Sequence, residues 1–293
     1  MVLIYLNISN RNSKGNIMDT RFWGPSGWRL LHLITFTYDP TKCKEGVKEM
    51  FEMLPYVLPC KFCRQSLSEY YETDPLAPAL KSRKTLSRWL WRIHNAVNGK
   101  LRAQGLNTSP DPAFAEVQKV YAERVAAGCI RTDFEGWDFL FSVAENHPFT
   151  QSAKNSLALE KPEGVEANTP DLRNRWNVMK ADERMEYYGR FWKSLGCSLP
   201  FPEWRDAWKE CEPRMTTLQN KRAWMKELWR IRCCLENRLE LVNREEFGTL
   251  CKRLAEHRSG CGRKRRAKTC RRVKASASAF GITKQGRRST HKH

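Results

Sequence analysis

Two cysteines in the spacing Cys60-Lys61-Phe62-Cys63 follow directly on Pro59, and Arg64–Tyr71 behind them read as a helix that opens on the first sulfur. At that position the helix N-terminus stabilises a thiolate, the reactive form of cysteine, and the two sulfurs can close a tight disulfide. The spacing suits thiol–disulfide exchange. Two other readings use the same residues. Half of a zinc site has this spacing, but it needs a second pair, and no second C-x-x-C occurs in the chain. Cysteines that only fill a core or loop are the third reading. A thioredoxin-like setting would need βαβ surroundings, whereas the neighbouring segments read as helices.

A second group of polar residues lies further along. His94 and Asn98 are four apart and share a helix face, with Asn95 one step aside. An imidazole and two amides directed into a helical bundle are costly unless each finds a partner. A planar cofactor rich in ring nitrogens and carbonyls would supply those partners. Taken singly, His94, His32, Trp23 and Trp28 read as ordinary surface or core residues. Only their combination points to a site.

The elements that must position these groups are helical. Trp28, Leu31, Ile34 and Thr35 recur at helical spacing between Gly24 and Tyr38, with Pro25 and Ser26 suited to a start. A second helix is expected over Lys42–Tyr56, striped by Cys43, Val47, Met50, Phe51 and Leu54. The third is the cysteine helix, and Glu72–Lys81, with Pro75 and Pro78, reads as loop. Leu86, Trp89, Leu90, Ile93, Val97 and Leu101 mark a fourth helix over Ser82–Ala103, and Phe114, Val117, Tyr121 and Val125 a shorter fifth over Pro112–Ala127. Four helices plus one, joined by short loops, form a small bundle.

In chain order, Phe22-Trp23-Gly24-Pro25-Ser26-Gly27-Trp28, Leu31-His32, Tyr38, Pro59-Cys60-Lys61-Phe62-Cys63, Trp89 with Trp91, and His94-Asn95-Ala96-Val97-Asn98-Gly99-Lys100-Leu101 form a set that resembles the Erv/ALR family of sulfhydryl oxidases. The resemblance spans roughly residues 20–130. It implies an all-α fold, a four-helix bundle with a short fifth helix cradling FAD. By that likeness Trp23, Gly24, Trp28, His32 and Tyr38 line the flavin and adenine, and Trp91, His94, Asn95, Val97, Asn98, Lys100 and Leu101 form a second binding segment. Cys63 would be the sulfur against the flavin and Cys60 the outer sulfur open to exchange. The implied activity is thiol oxidation: protein thiols give electrons through the cysteine pair to FAD and then to molecular oxygen, yielding disulfide and hydrogen peroxide. A homodimer is expected on the same ground. The chain departs from the family where helix one ends Thr-Phe-Thr-Tyr-Asp-Pro and where paired structural cysteines are missing late in the domain. Cys43 and Cys129 are the remaining cysteines there, and a bridge between them is one option.

Beyond this domain the chain is harder to read. The expected division is a flexible leader over 1–18, the oxidase-like domain over 19–147, a linker over 148–170, a second helical domain over 171–257 and a basic tail over 258–293. Asp133–Asn146 reads as an aromatic helix closing the first domain. Family members from large DNA viruses can carry an extra helical domain, and the plan of this chain is similar. Dimerisation or docking is the role expected of it. Cys197 and Cys211 could bridge two helices, and the adjacent Cys233-Cys234 read as core thiols or a shuttle pair.

The formal charge of +20 on 293 residues is concentrated in the tail, where thirteen Lys or Arg and no acid lie between Arg258 and His293. Such a run suits nucleic acid or another polyanion, or stands as a solvated arm. A zinc-stabilised nucleic-acid-binding structural protein is therefore the alternative reading of the whole chain. No apolar run is long enough to span a bilayer, and no export signal is expected, with Met1 or Met18 as the start. Host cytoplasm or virion would be the compartment of a viral protein, and the mitochondrial intermembrane space that of a cellular one.

Overall fold

The computed structural model describes residues 17–150 and 157–259, and the expected leader before Ile17 and the tail beyond Ser259 lie outside the described residues. Almost all the regular structure of the described chain is helical. Helix α1 (Thr20–Thr37) begins earlier than Gly24, because the Asp19 side chain accepts the Arg21 backbone N–H and caps the end. Then follow α2 (Lys44–Val57), α3 (Lys61–Thr73), α4 (Leu76–Ala79), α5 (Arg83–Ala103), α6 (Phe114–Ala126) and α7 (Trp137–Glu145). The short α4 stands where loop was expected. Pro75 and Pro78 are tolerated at its start, and burial of Leu76 and Ala79 holds it down. At the head of α5, Ser82 and Thr85 bond each other reciprocally, a capping box.

The second half continues with α8 (Pro170–Arg175), α9 (Ala181–Ser198), α10 (Pro202–Glu210), α11 (Lys221–Arg238) and α12 (Phe247–Glu256). These helices and the first bundle share one continuous hydrophobic core, running from Trp23 on α1 to Leu254 on α12. The main seam is α9 laid antiparallel along α2. Tyr56 stacks on Tyr187 at 3.8 Å, the Tyr188 hydroxyl donates to the Val57 carbonyl, and Arg190 pairs with Glu49. At the far end of the seam a Cβ on Gly46 would stand 2.2 Å from Cys197 Sγ, so only glycine admits the two helices this closely.

A two-residue ladder joins the two ends of the described chain, Ile17 opposite Ser259 and Met18 opposite Arg258. Beside it the Asp19 N–H donates to the His257 carbonyl, and Phe22 stacks on the His257 ring at 4.5 Å.

Cys211, at the C-cap of α10, is bridged to Cys234 on α11 with Cα atoms 5.9 Å apart. The option of a Cys197–Cys211 bridge is thereby corrected, because Cys197 lies on the opposite seam against Gly46. Cys43 and Cys129 do not bridge, and Cys233 is half-buried and unbridged beside its neighbour. Cys234→Ser is expected to lower stability by about 3 kcal/mol, the chain entropy released when a loop of this length opens. A reduced urea midpoint in the oxidised protein would show this; an unchanged midpoint would mean the bridge contributes nothing to stability.

Candidate functional site

Cys60 is the N-cap of α3, with extended backbone, and its carbonyl accepts the N–H groups of Cys63 and Arg64 at 3.0 Å each. Both cysteines therefore occupy the first turn, where unpaired backbone N–H groups and the helix dipole favour a thiolate. Cys60 is buried and Cys63 half-buried. Further along α3, Ser66 accepts a hydrogen bond from Lys100 Nζ at 2.6 Å, and the Tyr70 hydroxyl donates to the Ala96 carbonyl at 3.3 Å. Cys63, Ser66 and Tyr70 follow at helical spacing on one face. That face is the one turned to residues 96–100 of α5. The two helices run antiparallel here, so the dithiol lies toward the Lys100 end of α5, beyond the turns that carry His94.

Helix α1 packs against α5, and here two imidazoles meet. His32 Nε2 and His94 Nδ1 are 3.1 Å apart, one donating and the other accepting. Trp28 lies flat on His94 at 3.8 Å, and the Tyr121 ring of α6 stands 5.1 Å from that of His32. Burial holds the His32 imidazole down to about 3, and burial followed by the His32 neighbour holds His94 well below the ordinary range. Both rings are therefore neutral near pH 7.

The remaining expected residues distribute as follows. Trp23 is buried at the α7 seam, 6.0 Å from Phe139, and Gly24 follows it on the same turn of α1. Tyr38 lies beyond the end of α1, and its hydroxyl donates to the Leu80 carbonyl rather than toward the imidazole pair. Trp91 donates to the Pro112 carbonyl, and Asn98 donates to Asp111, which also pairs with Arg102. Asn95, Val97, Lys100 and Leu101 are half-buried along the second half of α5. Buried atoms without a protein partner remain at His32 Nδ1, Asn95 Oδ1 and Trp23 Nε1. They supply hydrogen-bonding groups from α1 and α5 that no protein atom satisfies.

Several residues around the dithiol escaped the sequence reading. Arg64 is buried, and its guanidinium donates to the Leu58 carbonyl and to Asn177 Oδ1, both at 2.8 Å. Lys61 donates to the Leu157 carbonyl, and Arg184 of α9 donates to the Tyr56 carbonyl and to Asn174. Arg64 stands next to the motif and was open to notice, but its partner Asn177 lies 113 residues away in sequence. A separate cavity of about 910 Å³ opens between α9, α10 and the end of α1, lined by Cys43, Cys197, Trp192, Phe201 and Arg205 among others; none of the expected cofactor residues borders it. Among the described residues no group of three His, Cys, Asp or Glu is placed to hold a metal ion, and no helix is long and apolar enough to cross a membrane.

The buried imidazoles make stability depend on pH with a definite sign. His32 takes up a proton at about 3 in the folded chain against 6.5 when unfolded, and His147 at about 4, each because burial penalises the charged ring. The unfolded state therefore binds more protons below about pH 6.5, and stability is lost as pH falls from there toward 4. Urea midpoints between pH 7.5 and 4.5 should fall steadily, and His32→Gln should flatten the slope (approximate range set by the reference pKa of histidine).

Comparison with known proteins bears on residues 25–120, which match the model of the Erv1/Alr family. The mitochondrial FAD-linked sulfhydryl oxidase ERV1 of Saccharomyces cerevisiae is 34% identical over 87 residues, covering 29% of this chain and 45% of the yeast protein. The FAD-linked sulfhydryl oxidase ERV1 of Arabidopsis thaliana is 32% identical over 81 residues, 27% of this chain and 41% of that one. Protein 096R of Invertebrate iridescent virus 3 is 25% identical over 87 residues, 29% of this chain and 59% of the viral one. The chain thus spans about half the length of the curated relatives it matches. No solved structure matches it. Residues 25–120 of this chain are thus similar to the Erv1/Alr family.

Proposed function

We propose that this chain is an FAD-dependent sulfhydryl oxidase that forms disulfides in protein thiols through Cys60 and Cys63. The observation that carries this reading is a dithiol at the start of a helix, α3, that packs on α5, the helix that also bears one of two neutral, buried imidazoles. The match of residues 25–120 to the Erv1/Alr family and the names of the yeast and plant relatives support it.

The residues present fit the cofactor. A flavin nucleotide offers flat rings, ring nitrogens and carbonyls, and α1 and α5 offer Trp28 against His94 together with unsatisfied buried atoms on His32 and Asn95. Trp23, Gly24, Trp28 and His32 from the first helix and Tyr38 just beyond it, with Trp91, His94, Asn95, Val97, Asn98, Lys100 and Leu101 from the fifth, would hold it. Neutral imidazoles serve this better than charged ones, since each keeps one nitrogen as donor and one as acceptor. FAD, when bound, supplies the two-electron acceptor that the dithiol reduces, and passes those electrons to oxygen to give hydrogen peroxide.

The protein's own chemistry is disulfide exchange. A substrate thiolate attacks Cys60 Sγ, the Cys60–Cys63 bond breaks, and Cys63 leaves as a thiolate. A second substrate thiolate then attacks the substrate sulfur of the mixed disulfide, releasing Cys60 and the oxidised product. The helix N-terminus stabilises whichever sulfur carries the charge. Burial of Cys60 limits which thiols reach it, so small or extended thiol-bearing segments are the substrates that fit.

The purified full chain should be yellow with bound flavin. Cys63→Ser should keep that colour and lose oxygen consumption with dithiothreitol by at least about 100-fold. A colourless protein carrying zinc would sink the proposal in favour of the structural, nucleic-acid-binding alternative.

A further inference from the structure

The turn that carries the dithiol also carries an unbalanced positive charge. Arg64 follows Cys63 directly and is buried, with its backbone N–H on the Cys60 carbonyl. Its side chain folds back toward the chain entering the helix, where Nη1 donates to the Leu58 carbonyl, two residues before Cys60. A guanidinium rooted at residue 64 and anchored at residue 58 therefore spans the turn that holds Cys60. Its other anchor is Asn177 Oδ1, from the turn after α8. Asn177 adopts the left-handed conformation with φ 57°, which asparagine tolerates better than most residues.

A second guanidinium approaches from α9. Arg184 is also buried, and its hydrogen bonds go to the Tyr56 carbonyl and Asn174 Oδ1. The acceptors of both arginines are neutral oxygens, and Arg64 Nε is buried without any partner. Two cations held by carbonyls and amides in an apolar core are expensive unless an anion joins them. The charged and titratable groups around them are Lys61 and Lys100, bonded to Leu157 and Ser66, the Tyr188 hydroxyl, and the two cysteines. Glu183, which acts on Arg184, is itself bonded to Arg173. Tyr188 is pushed up by burial and stays protonated near pH 7, leaving the sulfurs as the anion within reach. Burial disfavours the charge on Arg64, and the groups that favour it are Tyr188, then Cys60 and Cys63.

We propose that Arg64 is the resident counter-ion of the Cys60 thiolate, and that Asn177 and its neighbours in the second half of the chain exist at this site to hold it in place. The inference rests on the oxidase reading for its use, though not for its test. Reduction of the Cys60–Cys63 disulfide takes two electrons and one proton and leaves one thiol and one thiolate, the electrons coming from two substrate thiols that become a disulfide. In the disulfide state no carboxylate among the described residues pairs with Arg64, and reduction supplies an anion, so the arginine favours the reduced form. It also makes Cys60 the better leaving group when the mixed disulfide is resolved. Arg64 is a positioning and charge-balancing residue, acting through sulfur.

The test uses the full chain, reduced, in a Cys63→Ser background, so that residue 60 titrates alone. Alkylation by iodoacetamide is followed against pH, and the label on residue 60 is read by peptide mass spectrometry. Arg64→Gln should raise the midpoint by at least about one pH unit, a roughly tenfold loss of thiolate at neutral pH. Arg64→Lys should remain close to the parent. A folded Arg64→Gln protein with an unmoved midpoint would overturn the proposal, and so would a lysine variant shifted as far as the glutamine one. Should Arg64→Gln fail to fold by circular dichroism, Asn177→Ala takes its place, with an upward shift expected and an unmoved midpoint again overturning the idea. Neither flavin nor turnover enters this readout. A colourless protein with the shift would sink the oxidase reading alone, and a yellow, active protein without it would sink the counter-ion alone.

Discussion

Nitrogen buried in an apolar core must be either neutral or bonded, and much of this structure follows from that requirement. The His32–His94 pair meets it by neutrality: two rings share one hydrogen bond, and burial keeps protons off both. Arg64 and Arg184 meet it by bonding, through carbonyls of Leu58 and Tyr56 and amides of Asn177 and Asn174. The first solution ties α1 to α5. The second ties the cysteine helix to residues of the second half. Each solution brings together segments that are distant in sequence, and the second borders the dithiol.

This gives the second half of the chain a structural place. Its α9 lies along α2, and its α8 and the turn after it meet α3 through Asn177 and the pair between Arg175 and Glu72. The stretch expected to be a linker has no helix over 157–169, yet the helices on either side of it share one hydrophobic core. Further contacts extend this arrangement. Arg232 and Arg253 share Glu245 between α11 and α12, and Arg253 reaches Asp138 on α7. Charged groups in such a network are weak sources of stability, but they fix how the helices are registered against one another.

The dithiol combines two environments that pull in opposite directions. Burial of Cys60 disfavours a charged sulfur, whereas the end of α3 and the neighbouring guanidinium favour one. A sulfur poised between them can change charge during exchange at little cost, which a fully exposed or fully apolar cysteine could not do.

From the sequence by itself, the helical class, the chief helices of the first domain and the dithiol at a helix start were all legible. The reason is that apolar spacing, prolines and a four-residue motif act over one or two turns, where chain order and spatial order coincide. The pairing of α1 with α5 was legible only through the likeness to a known family, since nothing local requires His32 to meet His94. The short α4, the early start of α1 and the Cys211–Cys234 bridge were decided in three dimensions, by burial of Leu76, by the Asp19 cap and by which helices lie side by side. Least legible was the company of Arg64. A charged residue after a cysteine motif reads as surface, and only tertiary packing places Asn177 and Arg184 around it, because hydrogen-bond geometry selects partners by position in space and leaves no trace in spacing along the chain.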